Sequence, residues 1–116
     1  MTLRLSPEML AAAYEFLRTS QPFKGWKLPD SDSVEFTVNR HKYWFGSHLG
    51  GPTCHITISE STVGHTSTLI RVMAHEMIHT YQFLNGLESA KTHHNADFRR
   101  RAGVVCREHG FDEKAF

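Results

Sequence analysis

Cysteine is scarce in this sequence: Cys54 and Cys106 are the only two, and no Cys-x-x-Cys pair occurs. This scarcity excludes a zinc ribbon built from cysteines, and it excludes a small fold held together by a network of disulfides. We therefore predict that both cysteines are buried, reduced thiols.

Long apolar runs and a strong excess of one charge are also missing. No apolar stretch is long enough to span a membrane, and the N-terminal MTLRLSPEML lacks the features of a signal peptide. With 13 basic and 12 acidic side chains, the formal net charge of +1 is too small for strong non-specific attraction to nucleic acid or anionic membranes. We predict a cytoplasmic monomer without membrane association. DNA association is possible, but the net charge does not support it.

Histidine, by contrast, is abundant, with nine among 116 residues. Apolar residues make up 40% of the chain and charged residues 22%, which is typical of a globular protein. A chain of this length forms one modest core, and no repeat, low-complexity tract or linker divides it. We predict a single domain over residues 1–116.

Three segments are predicted to be helices, the first two from the spacing of their apolar residues and the third from the residues at its two ends. The first runs over roughly 7–19, the second from 66 or 67 to about 84, and the third from about 95 to 109. Ser6 and Asn95 are residue types that favour the N-cap position, so they are predicted to begin the first and third helices.

Three short segments between the first two helices have the pattern of strands. Apolar and polar residues alternate in 34–39, the segment 41–49 is richer in aromatic residues, and 54–59 places Ile56 and Ile58 on one face. Because the connections are too short for the usual parallel crossovers, we predict an antiparallel meander. The predicted fold class is α+β, with a small antiparallel three-stranded sheet packed on helices.

The stretch HEMIHTYQFLNG places His75 and His79 four residues apart with Glu76 between them. At 100° per residue, the two histidines lie on one side of the predicted helix, nearly opposite the apolar face that includes Leu69 and Met73. Imidazoles at this spacing can share one tetrahedral zinc ion, and Glu76, rotated by about 100°, can accept a proton from a water molecule. The sequence therefore predicts two zinc ligands and a general base on a helix that lines a cleft.

A catalytic zinc site needs a third protein ligand. The pattern HExxHxxGxxH is absent, because Gln82 and Asn85 occupy its glycine and third-histidine positions. Glu108 in the third predicted helix is one alternative, and His93 or His94 in the segment THHNADF is another. Spacing alone leaves these alternatives open.

The order of HEMIH, a loop and then HNADF resembles the SprT-like metallopeptidases, in which HExxH is followed at a similar distance by a His-Gly-x-x-Phe segment. The resemblance covers roughly residues 53–112. It implies a zincin-like fold with the HExxH motif on the central helix and one zinc ion. The residues that it implies for the site are His75, His79 and His94 as zinc ligands and Glu76 as the catalytic acid and base.

Two departures from the family pattern affect what can be expected. Asn95 stands where the family usually has glycine, and both residue types suit an N-cap. Many members, including Spartan-type DNA–protein crosslink proteases, also carry a zinc ribbon or DNA-binding modules beyond this domain. None is present in this sequence, so we predict a minimal form whose own DNA targeting is in doubt.

The predicted function is zinc-dependent hydrolysis of peptide bonds in a protein or peptide substrate, with Glu76 as general base and acid. One alternative is a non-catalytic binding module in which zinc has only a structural role and His93 is a fourth ligand. The other is a DNA–protein crosslink protease that a partner chain targets to DNA.

Other residues near the motif have simpler interpretations. Phe98 is predicted to anchor the third helix in the core, and Arg99–Arg101 to form a solvated helix face. If these arginines lie beside the cleft, they could favour an acidic or nucleic-acid-bound substrate. The strand 54–59 could offer its edge to an extended peptide.

Overall fold

The computed structural model describes residues 3–116. Three helices and a small three-stranded sheet make up the fold, which confirms the predicted α+β class. Within the described residues, no helix is long and apolar enough to cross a membrane. The elements in chain order are α1 (Pro7–Arg18), β1 (Val34–Asn39), β2 (Gly46–Leu49), β3 (Cys54–Ser59), α2 (Thr66–Leu84) and α3 (Ala96–His109).

Side-chain caps explain why two helices begin where the sequence predicts. Ser6 Oγ accepts a hydrogen bond from the Met9 amide at 3.2 Å, and Asn95 Oδ1 accepts one from the Phe98 amide at 2.9 Å. Each bond satisfies a first-turn N–H group that has no partner within its helix. At its C-terminal end α3 stops at Gly110, whose φ of 76° is left-handed.

The sheet is mixed, and the prediction of an antiparallel meander is wrong in this respect. The strand order is β1-β3-β2, with β3 parallel to β1 and antiparallel to β2. β3 takes the central place because Ile56 and Ile58 are fully buried, whereas alternate residues of β1 and β2 are exposed. The connection from β1 to β2 therefore passes over the end of β3, and two sequence neighbours are not neighbours in the sheet.

The predicted second strand is also shorter than expected, because residues 40–45 form a loop. Polar groups that follow or end β3 hold the backbone of this loop. Ser59 Oγ donates to the His41 carbonyl, and Thr62 Oγ1 donates to the Trp44 carbonyl at 2.9 Å. The aromatic side chains of this loop are therefore displayed at the surface instead of packed in the sheet.

The core lies among the sheet, α2 and α1, and α1 contacts both α2 and β1. Met73 and Met77 of α2 are fully buried, as are Leu10, Tyr14 and Leu17 of α1. The predicted apolar face of α2 therefore packs in the core as expected, except in the last turn of the helix. The opposite face of α2 is left to line a cleft.

Gly46 allows β2 to lie close to both β3 and α2. A Cβ atom at this position would lie 2.8 Å from the Thr57 carbonyl oxygen and 3.2 Å from the Val72 side chain. We expect Gly46→Ala to lower the free energy of unfolding by about 1–3 kcal/mol, the usual cost of overpacking, in urea denaturation. Gly51→Ala is the matched control, because the nearest atom to its Cβ would be 3.8 Å away. Equal stability of the two variants would contradict this account.

Candidate metal centre

Three of the four predicted site residues are histidines, and the structure brings them together. One ring nitrogen from each of His75, His79 and His94 lies within 4.8 Å of the others. His75 and His79 come from successive turns of α2, and His94 comes from the segment just before α3. The His94 ring centroid is 4.9 Å from that of His75 and 5.3 Å from that of His79.

Phe98 lies against all three imidazoles. Its ring stacks on His94 with centroids 4.4 Å apart and on His79 with centroids 4.6 Å apart, and the His75 ring is 5.0 Å away. The phenylalanine is 3% exposed and belongs to the core, as predicted. It therefore anchors α3 and at the same time forms an apolar support for the three histidines.

Burial keeps the imidazoles neutral. It lowers the pKa of His79 to about 3, and burial together with the neighbouring His94 lowers the pKa of His75 to about 4. Neutral imidazole is the form that binds a metal ion. Among the described residues, the buried Nε2 of His79 has no hydrogen-bond partner, which a metal ion would supply. The three neutral imidazoles, one of which carries this unpaired nitrogen, suit the binding of a zinc ion.

The segment after α3 returns to the site and orients His75. His75 Nδ1 lies 2.9 Å from the Phe116 carbonyl oxygen, which can only accept, so Nδ1 carries the proton and Nε2 is left as the ligand atom. Arg71 holds the same segment by donating to the Ala115 carbonyl at 2.6 Å. A histidine ligand whose other nitrogen donates to a backbone carbonyl is usual in zinc sites.

Glu76 is buried on the motif helix, with 5% of its surface exposed. Burial raises the pKa of its carboxyl group to about 8, because the charged form is poorly solvated there. Its side chain lines the same cavity as the three histidines. The position one residue after His75 therefore brings a carboxyl group to the edge of the histidine cluster without placing it among the nitrogen atoms.

The cavity has a volume of about 550 Å³ and lies between α2 and β2. Its outer wall is the loop that precedes β2, where Tyr43, Trp44 and Phe45 are 84%, 64% and 46% exposed. The His41 ring stacks on Trp44 with centroids 4.3 Å apart, which fixes the orientation of the indole. Exposed aromatic residues held in this way provide apolar contact area beside the histidines.

Neither this wall nor His48 was assigned to the site from the sequence. His48 of β2 lines the cavity together with His79, and burial lowers its pKa to about 4. Arg71, one turn before His75, also lines the cavity. The available signal was helical spacing for Arg71, whereas His48 could be found only by knowing that β2 lies beside α2.

The other candidates for the third ligand lie outside the histidine cluster. Glu108 is exposed in the last turn of α3, and it does not join the metal-ligand group found in residues 3–116. His93 is exposed, and its ring centroid is 4.7 Å from that of His79. The geometry therefore favours His94 over both alternatives.

The three consecutive arginines differ in their exposure and contacts, so they do not form the uniformly solvated helix face that was predicted. Arg100 is exposed and pairs with Asp97, but Arg101 is only 19% exposed and lies over the Tyr81 ring at 4.2 Å. Arg99 donates to the His94 carbonyl at 2.9 Å. Two of the three guanidinium groups thus have structural contacts that the charge run did not indicate.

The elements around this site define a class of protein. A long helix with the His-Glu-x-x-His motif, a sheet beside it and a third histidine from the next segment make up a zincin-like domain. The SprT-like family model matches residues 3–113. The chain belongs to the SprT-like family, which is associated with zinc metallopeptidase function. No curated protein matches the chain.

Proposed function

We propose that this protein is a zinc-dependent metallopeptidase that hydrolyses peptide bonds in proteins or peptides. The observation that carries the proposal is that the buried Glu76 carboxyl group and three neutral histidines line one cavity. A closed structural site would need a fourth protein ligand, whereas three ligands leave room for a reacting group.

His75, His79 and His94 would hold the zinc ion, each through one imidazole nitrogen. When bound, zinc supplies a Lewis acid whose charge is not offset by its three neutral ligands. The positive charge of a bound zinc ion would offset the burial of Glu76 and favour its ionised carboxylate, which then accepts a proton from the water that attacks the scissile carbonyl carbon. The same carboxyl group returns that proton to the leaving amine as the C–N bond breaks, so one residue acts as base and then as acid.

β2 is the strand best placed to bind an extended substrate. The central position of β3 excludes the predicted use of its edge, whereas β2 lies at the edge of the described sheet. β2 also lines the cavity through Gly46, Ser47 and His48. A substrate strand that adds to this edge would be held mainly through its backbone, next to the aromatic wall.

This binding mode predicts sensitivity to N-methylation of the substrate. An N-methyl group removes a backbone donor, so methylation at alternate positions near the scissile bond should weaken binding to a Glu76→Gln variant by about tenfold, the effect of one or two lost hydrogen bonds. The measurement is isothermal titration calorimetry with a methyl scan of one peptide. Methylation at the intervening positions is the control. Uniform effects along the peptide would argue against strand addition.

The proposed activity is tested by metal removal and restoration with an unstructured, fluorogenic peptide mixture. We expect cleavage by the protein loaded with one zinc ion per chain, loss of cleavage after chelation, and recovery on addition of zinc. A zinc-loaded protein that cleaves neither peptides nor an unfolded protein would contradict the proposal.

The binding-module alternative makes a different prediction for the same protein. His93 would then complete the site, and a cobalt-substituted sample would have four protein ligands. Its visible spectrum would not respond to small anions that compete for an open position. For the peptidase, we expect a spectral change with such anions and the same change in His93→Ala.

A further inference from the structure

A buried polar side chain on the motif helix connects α2 to the segment that carries His94. Gln82 is fully buried, three residues after His79. Its amide Nε2 donates to Asn95 Oδ1 at 2.9 Å and to Asp97 Oδ2 at 3.0 Å. One amide group therefore bonds to the N-cap residue of α3 and to a side chain in its first turn, just after His94.

Both acceptors of Gln82 are themselves fixed. Asn95 caps α3, and its Nδ2 donates to the Leu87 carbonyl at 3.0 Å, which ties the cap to the start of the preceding loop. Asp97 pairs with Arg101 at 3.0 Å. Burial raises the pKa of Asp97, but the hydrogen bonds from Gln82 and Arg101 outweigh it, so the pKa lies below its usual range. The first turn of α3 is thus a connected polar network.

His94 has little other support in its own segment. Residues 84–94 are all exposed, so few packed side chains hold this loop in one conformation. Ordering a loop costs conformational entropy, and a ligand on a loop binds well only if its position is fixed before binding. The anchors available to the His94 backbone are the network after it and the Arg99 guanidinium on its carbonyl.

We propose that Gln82 is a positioning residue that fixes His94 relative to His79 and thereby sets the affinity of the site for zinc. The inference rests on the proposed metal site and adds to it a residue that does not touch the metal. A Gln82 that merely stabilised the fold would change the stability of the metal-free protein and leave the zinc affinity of the folded protein unchanged.

The test is the dissociation constant for zinc, measured by competition with a chromophoric chelator, together with the melting temperature of the metal-free protein. Gln82→Met keeps the side-chain length and removes the donor. We expect its zinc dissociation constant to rise about 10- to 100-fold, as for loss of an outer partner of a metal ligand. Tyr14→Phe is the matched control. It removes one partly buried hydrogen bond, from the Tyr14 hydroxyl to the Pro29 carbonyl, and should change only the melting temperature.

A second variant keeps the inference testable if Gln82→Met does not fold. Asn95→Gly retains an N-cap residue but removes one acceptor of Gln82, so it should also weaken zinc binding. Because both changes break the same connection, the double variant should lose less affinity than the two single losses added together. Unchanged zinc affinity in Gln82→Met, or fully additive losses, would overturn the inference. A wild-type protein that binds no zinc would instead overturn the proposed metal site.

Discussion

Replacing Glu76 with glutamine is expected to leave one zinc ion bound per chain and to lower peptide cleavage by at least about 100-fold. Glutamine has nearly the same shape as glutamate, so it fits the buried position beside the histidines. It cannot accept a proton from the attacking water, and it cannot return one to the leaving amine. Zinc content by metal analysis and initial rates with a fluorogenic peptide measure the two properties separately.

Glu108→Gln is the control for this substitution, because it makes the same chemical change on the exposed surface of α3. It should retain both zinc and activity. Substantial cleavage by a metal-replete Glu76→Gln protein, with contaminating proteases excluded by mock purification, would show that another group transfers the proton.

Replacing His94 with alanine is expected to weaken zinc binding by more than the roughly 100-fold that follows loss of an outer partner. The substitution removes one of three ligands and leaves two from a single helix, which cannot enclose the ion. His94 is exposed and precedes the α3 cap, so the metal-free protein should melt at nearly the wild-type temperature. Competition with a chelator gives the affinity, and circular dichroism gives the melting temperature.

His93→Ala and Glu108→Ala separate the three candidates for this ligand. Each should bind zinc with an affinity within a few-fold of wild type, since neither residue belongs to the cluster of three nitrogen atoms. If Glu108→Ala released zinc and His94→Ala retained it, the third ligand would be misassigned. If only His93→Ala released zinc, the site would use the other histidine of the pair.

Local features of the sequence were sufficient to predict where the helices begin and end. The spacing of apolar residues and the capping residues Ser6 and Asn95 depend on neighbours within one turn, so the predicted bounds agree with the structure to within a residue or two. The same reasoning placed His75 and His79 on one side of α2 with Glu76 beside them, because side chains in a helix have a fixed angular order.

The sequence pattern limits the third zinc ligand to a few candidates, but residue spacing alone does not identify which of them it is. His93, His94 and Glu108 are all separated from the motif by a loop of unknown path. Resemblance to the SprT-like segment favoured His94. The spatial preference for it depends on Phe98, which packs under the ring, and on the network that begins at Gln82. Those contacts join residues from two helices, and no periodic pattern records them.

The pairing of the strands and the position of the cleft could not be predicted from local sequence features, for a related physical reason. Strand patterns report which face of a strand is buried, but they do not report which strand pairs with which. Ile56 and Ile58 of β3 are fully buried, and β1 and β2 flank this strand on its two edges. That arrangement puts β2, rather than β3, at the edge beside α2.

The identity of the chemical groups could therefore be predicted from the sequence, since two histidines one turn apart on a helix, with a glutamate next to the first, need only local geometry. The remaining parts of the site come from distant stretches of chain. His94, the aromatic wall before β2 and the Phe116 carbonyl that orients His75 meet only when the core packs. Their positions follow from the burial of apolar residues far from the motif, and that burial is a property of the whole fold.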